Sequence, residues 1–172
     1  MARVCDLLYM LSSRPGDAFK IKESNLYLDA GEYGEVHFGH SKTKVGQIIE
    51  MNAEMRELVD WFLLFKRRYR IFNRALLCYP PYMRRVAGKP ITLHFMQDEW
   101  AAAVVRAGFT KGQYRLADLR KKGLTDEFIG QGENDKGGHK TQAMRDYYRL
   151  QQPPKRARNT LAPVHTNEGI RR

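Results

Sequence analysis

Cysteine is nearly missing from this chain: Cys5 and Cys78 are the only two in 172 residues, and they form no C-x-x-C pair. A disulfide framework and a thiolate zinc module are thereby excluded. The usage fits a reducing, cytoplasmic setting in which both thiols are small buried hydrophobes. Long apolar runs are absent too. None approaches the roughly 18 residues of a membrane span, and the opening MARVCDLLYMLSSRPGD lacks the extended apolar stretch and cleavage site of a secretory signal. A soluble intracellular protein is expected. Histidine is sparse, and His37 and His40 lie three apart on a predicted strand, whose alternation sends them to opposite faces and argues against a metal site. Acid is in deficit: nineteen Asp and Glu oppose thirty Lys and Arg, for a net charge of +11. Such a surplus attracts polyanions by its summed field and by displacing their counterions, so nucleic acid is the leading partner.

The length suits a single domain with a tail, and no internal repeat is present. Val4, Leu7, Leu8 and Leu11 recur at helical spacing up to Ser12-Ser13. Pro15 then opens a short second helix with Asp17 near its positive end, which fixes Arg14 at a helix junction. Residues 26–51 carry β-rich segments near 26–28, 34–40 and 45–51, separated by DAGEYG and SKTK, and predict a small antiparallel sheet. Asn52 caps the next helix, whose stripe is Met55, Leu58, Val59 and Phe62, with Lys66-Arg67-Arg68 at its negative end. ALLCYPP reads as an extended connection. Residues 93–107 form a helix with Met96, Trp100, Ala103 and Val104 on one face and Gly108 just past its end. RLADLRKKGLTDEF is a further short helix, GQGENDKGG a loop, and KTQAMRDYYRLQ a last helix ended by Pro153-Pro154. The expected domain covers residues 1–152; the tail, 153–172, is basic and aperiodic.

Breaking a DNA phosphodiester without a metal requires a nucleophile, fork-shaped cationic donors for the nonbridging oxygens, and an acid for the departing 5′ oxygen. Tyrosine can serve as the nucleophile, although its pKa near 10 means that the phenol needs help losing its proton. Those residue types stand at four separated places: S-S-R-P-G-D around Arg14, S-K-T-K around Lys42, A-D-L-R ending at Arg120, and G-H-K-T-Q-A-M-R-D-Y-Y from His139 to Tyr148. In that order they resemble the phage-integrase or tyrosine-recombinase family, over about residues 4–150. In that family a G-H pair precedes the nucleophilic tyrosine, the histidine by nine residues, as His139 precedes Tyr148 here. Adjacent helical residues point about 100° apart, so Tyr147 is a flanking or packing residue.

The resemblance implies an α+β catalytic domain, mostly α-helical with a small three-stranded antiparallel sheet. Arg14 and Arg120 would clamp the scissile phosphate, Lys42 would protonate the leaving oxygen, and His139 would bond the phosphate or assist proton transfer. Tyr148 would form a 3′-phosphotyrosyl bond, with no metal or nucleotide cofactor, and Asp17 would orient an arginine. Lys44 lies in the same turn as Lys42 and competes with it. The implied partners are double-stranded DNA attachment sites and further copies of the chain, a tetramer in the family, on which the tail 153–172 would dock. Two departures stand out. Ala117 occupies the position, three before Arg120, where most relatives carry histidine, with Arg115 nearby as a candidate substitute donor. Met1 falls one helix before Arg14, so the chain reads as a catalytic domain without the helical DNA-binding domain that usually precedes it in the family. A catalytically impaired DNA-binding remnant is therefore the alternative. A type IB topoisomerase fits the histidine-to-tyrosine spacing less well, and a metal nuclease would rest only on Glu133, Asn134 and Asp135.

Overall fold

The computed structural model describes residues 1–39 and 46–131, with side chains through residue 127. Helix α1 (Ala2–Leu11) is followed by the short α2 (Pro15–Ala18), a 3-10 turn at Glu23–Asn25, and strands β1 (Leu26–Tyr27), β2 (Glu35–Gly39) and β3 (Gly46–Glu50). Helices α3 (Ala53–Arg68), α4 (Leu93–Arg106) and α5 (Asp118–Gln131) complete the described chain. The expected α+β architecture is present: the strands form one antiparallel sheet in the order β1-β2-β3, with Val36 opposite both Leu26 and Ile49. Among the described residues, no helix is long and apolar enough to cross a membrane.

One core joins sheet and helices. Val36, Phe38 and Ile49 face it from the strands, and Val4, Leu7, Leu8 and Leu11 from α1. Met55, Leu58, Val59 and Phe62 enter from α3. Each of these side chains contributes roughly 2 kcal/mol by leaving water, which is why short elements of modest propensity hold their places. The Asn52 side chain accepts from the Met55 amide at 2.9 Å, capping α3 as its sequence predicts. Thr92 does the same for α4, accepting from Phe95. Trp100 is a partly buried anchor whose indole N–H donates to the Tyr114 carbonyl at 3.1 Å.

Three expectations are corrected. Helix α5 continues through Gly130 and Gln131, which the glycine content assigns to a loop; one glycine near a helix end costs no more than about 1 kcal/mol, too little to stop a helix already docked. Cys78 is buried but Cys5 only partly, because the helical stripe of α1 is centred on Leu7, Leu8 and Leu11. Burial pushes both thiols up from their ordinary range, which leaves them poor nucleophiles. Lys66 does more than complement a helix dipole: it is 3% exposed and donates to the carbonyls of Asn73 at 2.5 Å and Ala75 at 2.6 Å, and to Glu23. This buried ammonium ties the end of α3 to residues 73–75, and residues 74–76 pair with residues 21–23 through Glu23 N–H to Arg74 O and Leu76 N–H to Ile21 O.

Candidate active site

Arg14 owes its position to two backbone events in succession. Helix α1 stops because Ser12 adopts a left-handed conformation (φ 47°, ψ 25°) and turns the chain. Arg14 then takes the extended conformation of a helix-capping residue, and Pro15 starts α2 with its φ already set. Ser12, Ser13 and Asp17 are all buried around this junction. The Arg14 Nη1 lies 3.9 Å from the Asp17 carboxylate, an ion pair beyond hydrogen-bond length. Asp17 is thus placed to orient the guanidinium, the role expected of it. The Arg14 side chain is 31% exposed overall, yet its Nη1 is shielded from solvent and hydrogen-bonds to no described residue.

Arg120 belongs to α5, which packs against α1. It lies in the first turn of α5 and is 5% exposed, an unusual environment for a side chain that stays protonated. One turn further on, Gly123 meets the end of α1: a Cβ there would stand 2.4 Å from Ser12 Oγ and 2.5 Å from the Tyr9 carbonyl oxygen. The Gly123 backbone, three residues after Arg120, therefore lies against the Ser12 side chain and the Tyr9 carbonyl, two and five residues before Arg14. That close approach brings the segments that carry Arg14 and Arg120 near one another, despite more than a hundred residues between them in sequence.

A polar bridge reinforces it. The Tyr9 hydroxyl donates to Asp126 Oδ2 at 2.7 Å, and Lys122 Nζ to Asp126 Oδ1 at 2.5 Å. Lys122, and secondly Tyr9, hold the Asp126 carboxyl below its usual range against a desolvation that acts the other way, while the bond to Asp126 and then burial push the Tyr9 phenol up. The signs follow: the depressed Asp126 adds stability above the unfolded carboxylate pKa and loses it as pH falls through the lower folded value. The raised Tyr9 adds stability below about pH 10 and loses it as pH climbs through the higher folded value. Because Asp126 is 31% exposed, solvent screening keeps this small. Tyr9→Phe is expected to cost about 1 kcal/mol at neutral pH, and the deficit should shrink in acid once Asp126 is protonated. Chemical denaturation at several pH values checks it; a deficit that does not vary with pH contradicts the bridge.

Ala117 and Arg115 are both exposed, and the Arg115 amide donates to Asp118 at 2.8 Å, which fixes the chain entering α5. Lys42, Lys44, His40, His139 and Tyr148 lie outside the described residues, as do Glu133, Asn134, Asp135 and the 153–172 tail. Among the described residues, no group of three or more His, Cys, Asp or Glu could hold a metal ion. A groove of about 900 Å³ between α4 and α5 is lined by Trp100, Val104, Phe109 and Leu119 and by neither arginine. Of the residues singled out from the sequence, Arg14, Asp17 and Arg120 lie among the described ones, whereas Gly123 and the Tyr9–Asp126 bridge were not expected. The one available signal was a glycine set inside the predicted helix LRKKGLTDEF.

The fold defined by these elements is that of a tyrosine-recombinase catalytic domain. Among solved structures, the chain matches a lambda integrase dimer (residues 75–356 of that protein) bound to a COC′ core site, with TM-score 0.66, 17% identity, and coverage of 94% of this chain and 55% of that one. It matches the XerH site-specific recombinase in a pre-cleavage complex with its difH substrate at TM-score 0.65 and 16% identity, covering 86% of this chain but 41% of XerH. The lambda integrase catalytic core matches at TM-score 0.59 and 14% identity, with 91% of this chain and 82% of that one covered. No protein-family model matches the chain, and no curated protein matches it by sequence.

Proposed function

We propose that this chain acts in site-specific DNA recombination of the integrase type, cutting and rejoining strands through a 3′-phosphotyrosyl intermediate. The observation that carries the reading is the Arg14 guanidinium: it is held beside a buried carboxylate, with one shielded Nη1 bonded to no described residue, while the buried Arg120 lies on the helix that packs against α1. Leaving such a donor without an acceptor costs about 1–3 kcal/mol, and a phosphate oxygen supplies one. Two guanidiniums on one phosphate would suit a pentacoordinate phosphorane better than a resting phosphodiester, since negative charge accumulates on its nonbridging oxygens.

The chemistry closes on this chain's own groups. The Tyr148 oxygen attacks phosphorus as its proton passes to solvent, the bond to the 5′ oxygen breaks, and Lys42 supplies the proton that makes the leaving group a hydroxyl. His139 bonds the phosphate or assists proton transfer. Attack by the 5′-hydroxyl of a partner strand reverses each step, and the phosphotyrosyl bond conserves the energy of the phosphodiester it replaces. Two duplex attachment sites and a tetramer of chains complete the proposed assembly. The XerH and lambda integrase structures, solved on DNA and in one case as a tetramer on a Holliday junction, support this, although the chain spans less than half of those two longer proteins.

Ala117 favours a second reading, a DNA-binding remnant with little catalysis, since a methyl group donates no hydrogen bond. A nicked duplex that traps cleaved product separates the two. Incubated with the chain, it should yield a denaturation-resistant protein–DNA adduct whose attachment maps by peptide mass to Tyr148. Salt-sensitive binding with no adduct supports the remnant; an adduct on Tyr147 refutes the assignment of the nucleophile.

A further inference from the structure

We infer that the C-terminal end of α3 is a second nucleic-acid contact, for single strands, built from Arg67, Arg70, Arg74 and the ring of Phe72. These residues line a cleft of about 530 Å³ together with Leu63, Lys66 and Ile71, and neither Arg14 nor Arg120 takes part in it. The helix end does not need the three arginines. Lys66 already satisfies the carbonyls of Asn73 and Ala75, and the turn closes by itself, with Ile71 N–H donating to Lys66 O at 2.9 Å and Arg70 N–H to Arg67 O at 3.1 Å. In this closure the left-handed position, normally glycine's, belongs to Arg70 at φ 52°. A backbone conformation that disfavours a side chain is thus spent on presenting a guanidinium. Among the described residues, Arg67, Arg70 and Arg74 form no ion pair.

Phe72 decides the ligand. Its side chain is 93% exposed, the largest exposure of any big apolar residue described. Phosphate alone has no use for a phenyl face, and Phe has no group with which to read a base edge. In a duplex the base faces are stacked on one another and closed to it. Unpaired bases offer a flat π surface, and cations beside an aromatic platform are how sequence-tolerant single-strand sites are made. An acidic peptide would also pair with the arginines, but nothing in its charge calls for the exposed ring.

The test uses the full chain and anisotropy of a labelled oligothymidine of about twenty nucleotides, over a salt series, with a blunt duplex as control. Phe72→Ala should weaken oligothymidine binding about tenfold with the salt slope kept, and leave the duplex within twofold. Arg67→Ala with Arg74→Ala should lower affinity and reduce the slope by about 0.7 per guanidinium removed. Arg70→Gly should weaken binding while thermal stability holds or rises, an outcome that a merely structural arginine would not give. Unchanged oligothymidine affinity in Phe72→Ala, or an equal loss on duplex, overturns the proposal. So does a polyglutamate peptide that binds as tightly as oligothymidine with the same dependence on Phe72, which would assign the cleft to an acidic protein. None of these readouts requires strand cleavage, so their failure is distinct from failure of the Tyr148 assignment.

Discussion

Tyr148→Phe should leave no covalent DNA adduct at all, while Arg120→Ala should still form one, at least a hundredfold to a thousandfold more slowly. The two losses differ because the two groups contribute differently. In the proposed chemistry, removing the hydroxyl removes the atom that bonds to phosphorus, and nothing else substitutes for it. Removing a guanidinium takes away charge-matched donors in the transition state, about 3–4 kcal/mol of barrier, while nucleophile and acid remain. Since Arg120 is 5% exposed, its truncation also leaves a hole and disturbs a buried charge balance, so Arg120→Lys is needed beside it. Lysine retains the charge and most of the length but not the planar fork. If positioning of phosphate oxygens by a fork is what matters, Arg120→Lys folds like wild type and still cleaves far more slowly. Adduct formed by Tyr148→Phe at the wild-type rate, or full activity in Arg120→Lys, would remove the basis for the proposed chemistry.

Much of this arrangement is visible along the chain because it is local. The stripe of Val4, Leu7, Leu8 and Leu11, the Asn52 cap and the Pro15 start are each decided within a few residues, and each is found as expected. The β2–β3 pairing follows from a hairpin, the shortest way to join antiparallel strands. What escapes a linear reading is set by contacts distant in sequence. Lys66 sits in a run of cations indistinguishable from a solvated helix end, and only the convergence of Glu23, Asn73 and Ala75 draws it inside. Arg120 likewise carries no local mark of burial. Its neighbours Leu116 and Leu124 are buried as well, so the face of α5 turned toward the core includes the arginine, and that face is chosen by where α1 lies. The α4–α5 groove is also invisible in the sequence, because Phe109 and Tyr114 sit on the intervening loop, packed edge to face at 5.1 Å.

Gly123→Ala should destabilise the protein by about 2–3 kcal/mol and depress strand cleavage by more than that loss explains. In an exposed helix the same change would stabilise by about 1 kcal/mol, because alanine is the better helix former. Here the sign reverses. The new methyl would lie 2.4 Å from Ser12 Oγ and 2.5 Å from Tyr9 O. The hydroxyl can rotate away, but the carbonyl belongs to the last turn of α1 and already accepts from Ser12 N–H and Ser12 Oγ at 3.1 Å each. Helix α1 must therefore move as a body, and with it the Leu7, Leu8 and Leu11 side chains that hold it in the core. Relief by Ser12→Gly should be only partial, since it removes the hydroxyl clash and suits the left-handed φ of 47° but leaves the carbonyl in place. The catalytic consequence follows from position. Arg14 trails the displaced end of α1 and Arg120 precedes Gly123 on α5, so widening this one contact shifts the backbone that carries each arginine. Thermal melts should show a drop of roughly 5–10 °C for a chain of this size, and adduct rates compared well below the melting point should still fall at least tenfold. If Gly123→Ala is neutral or stabilising, the backbone contact between α1 and α5 is not what joins the arginine pair.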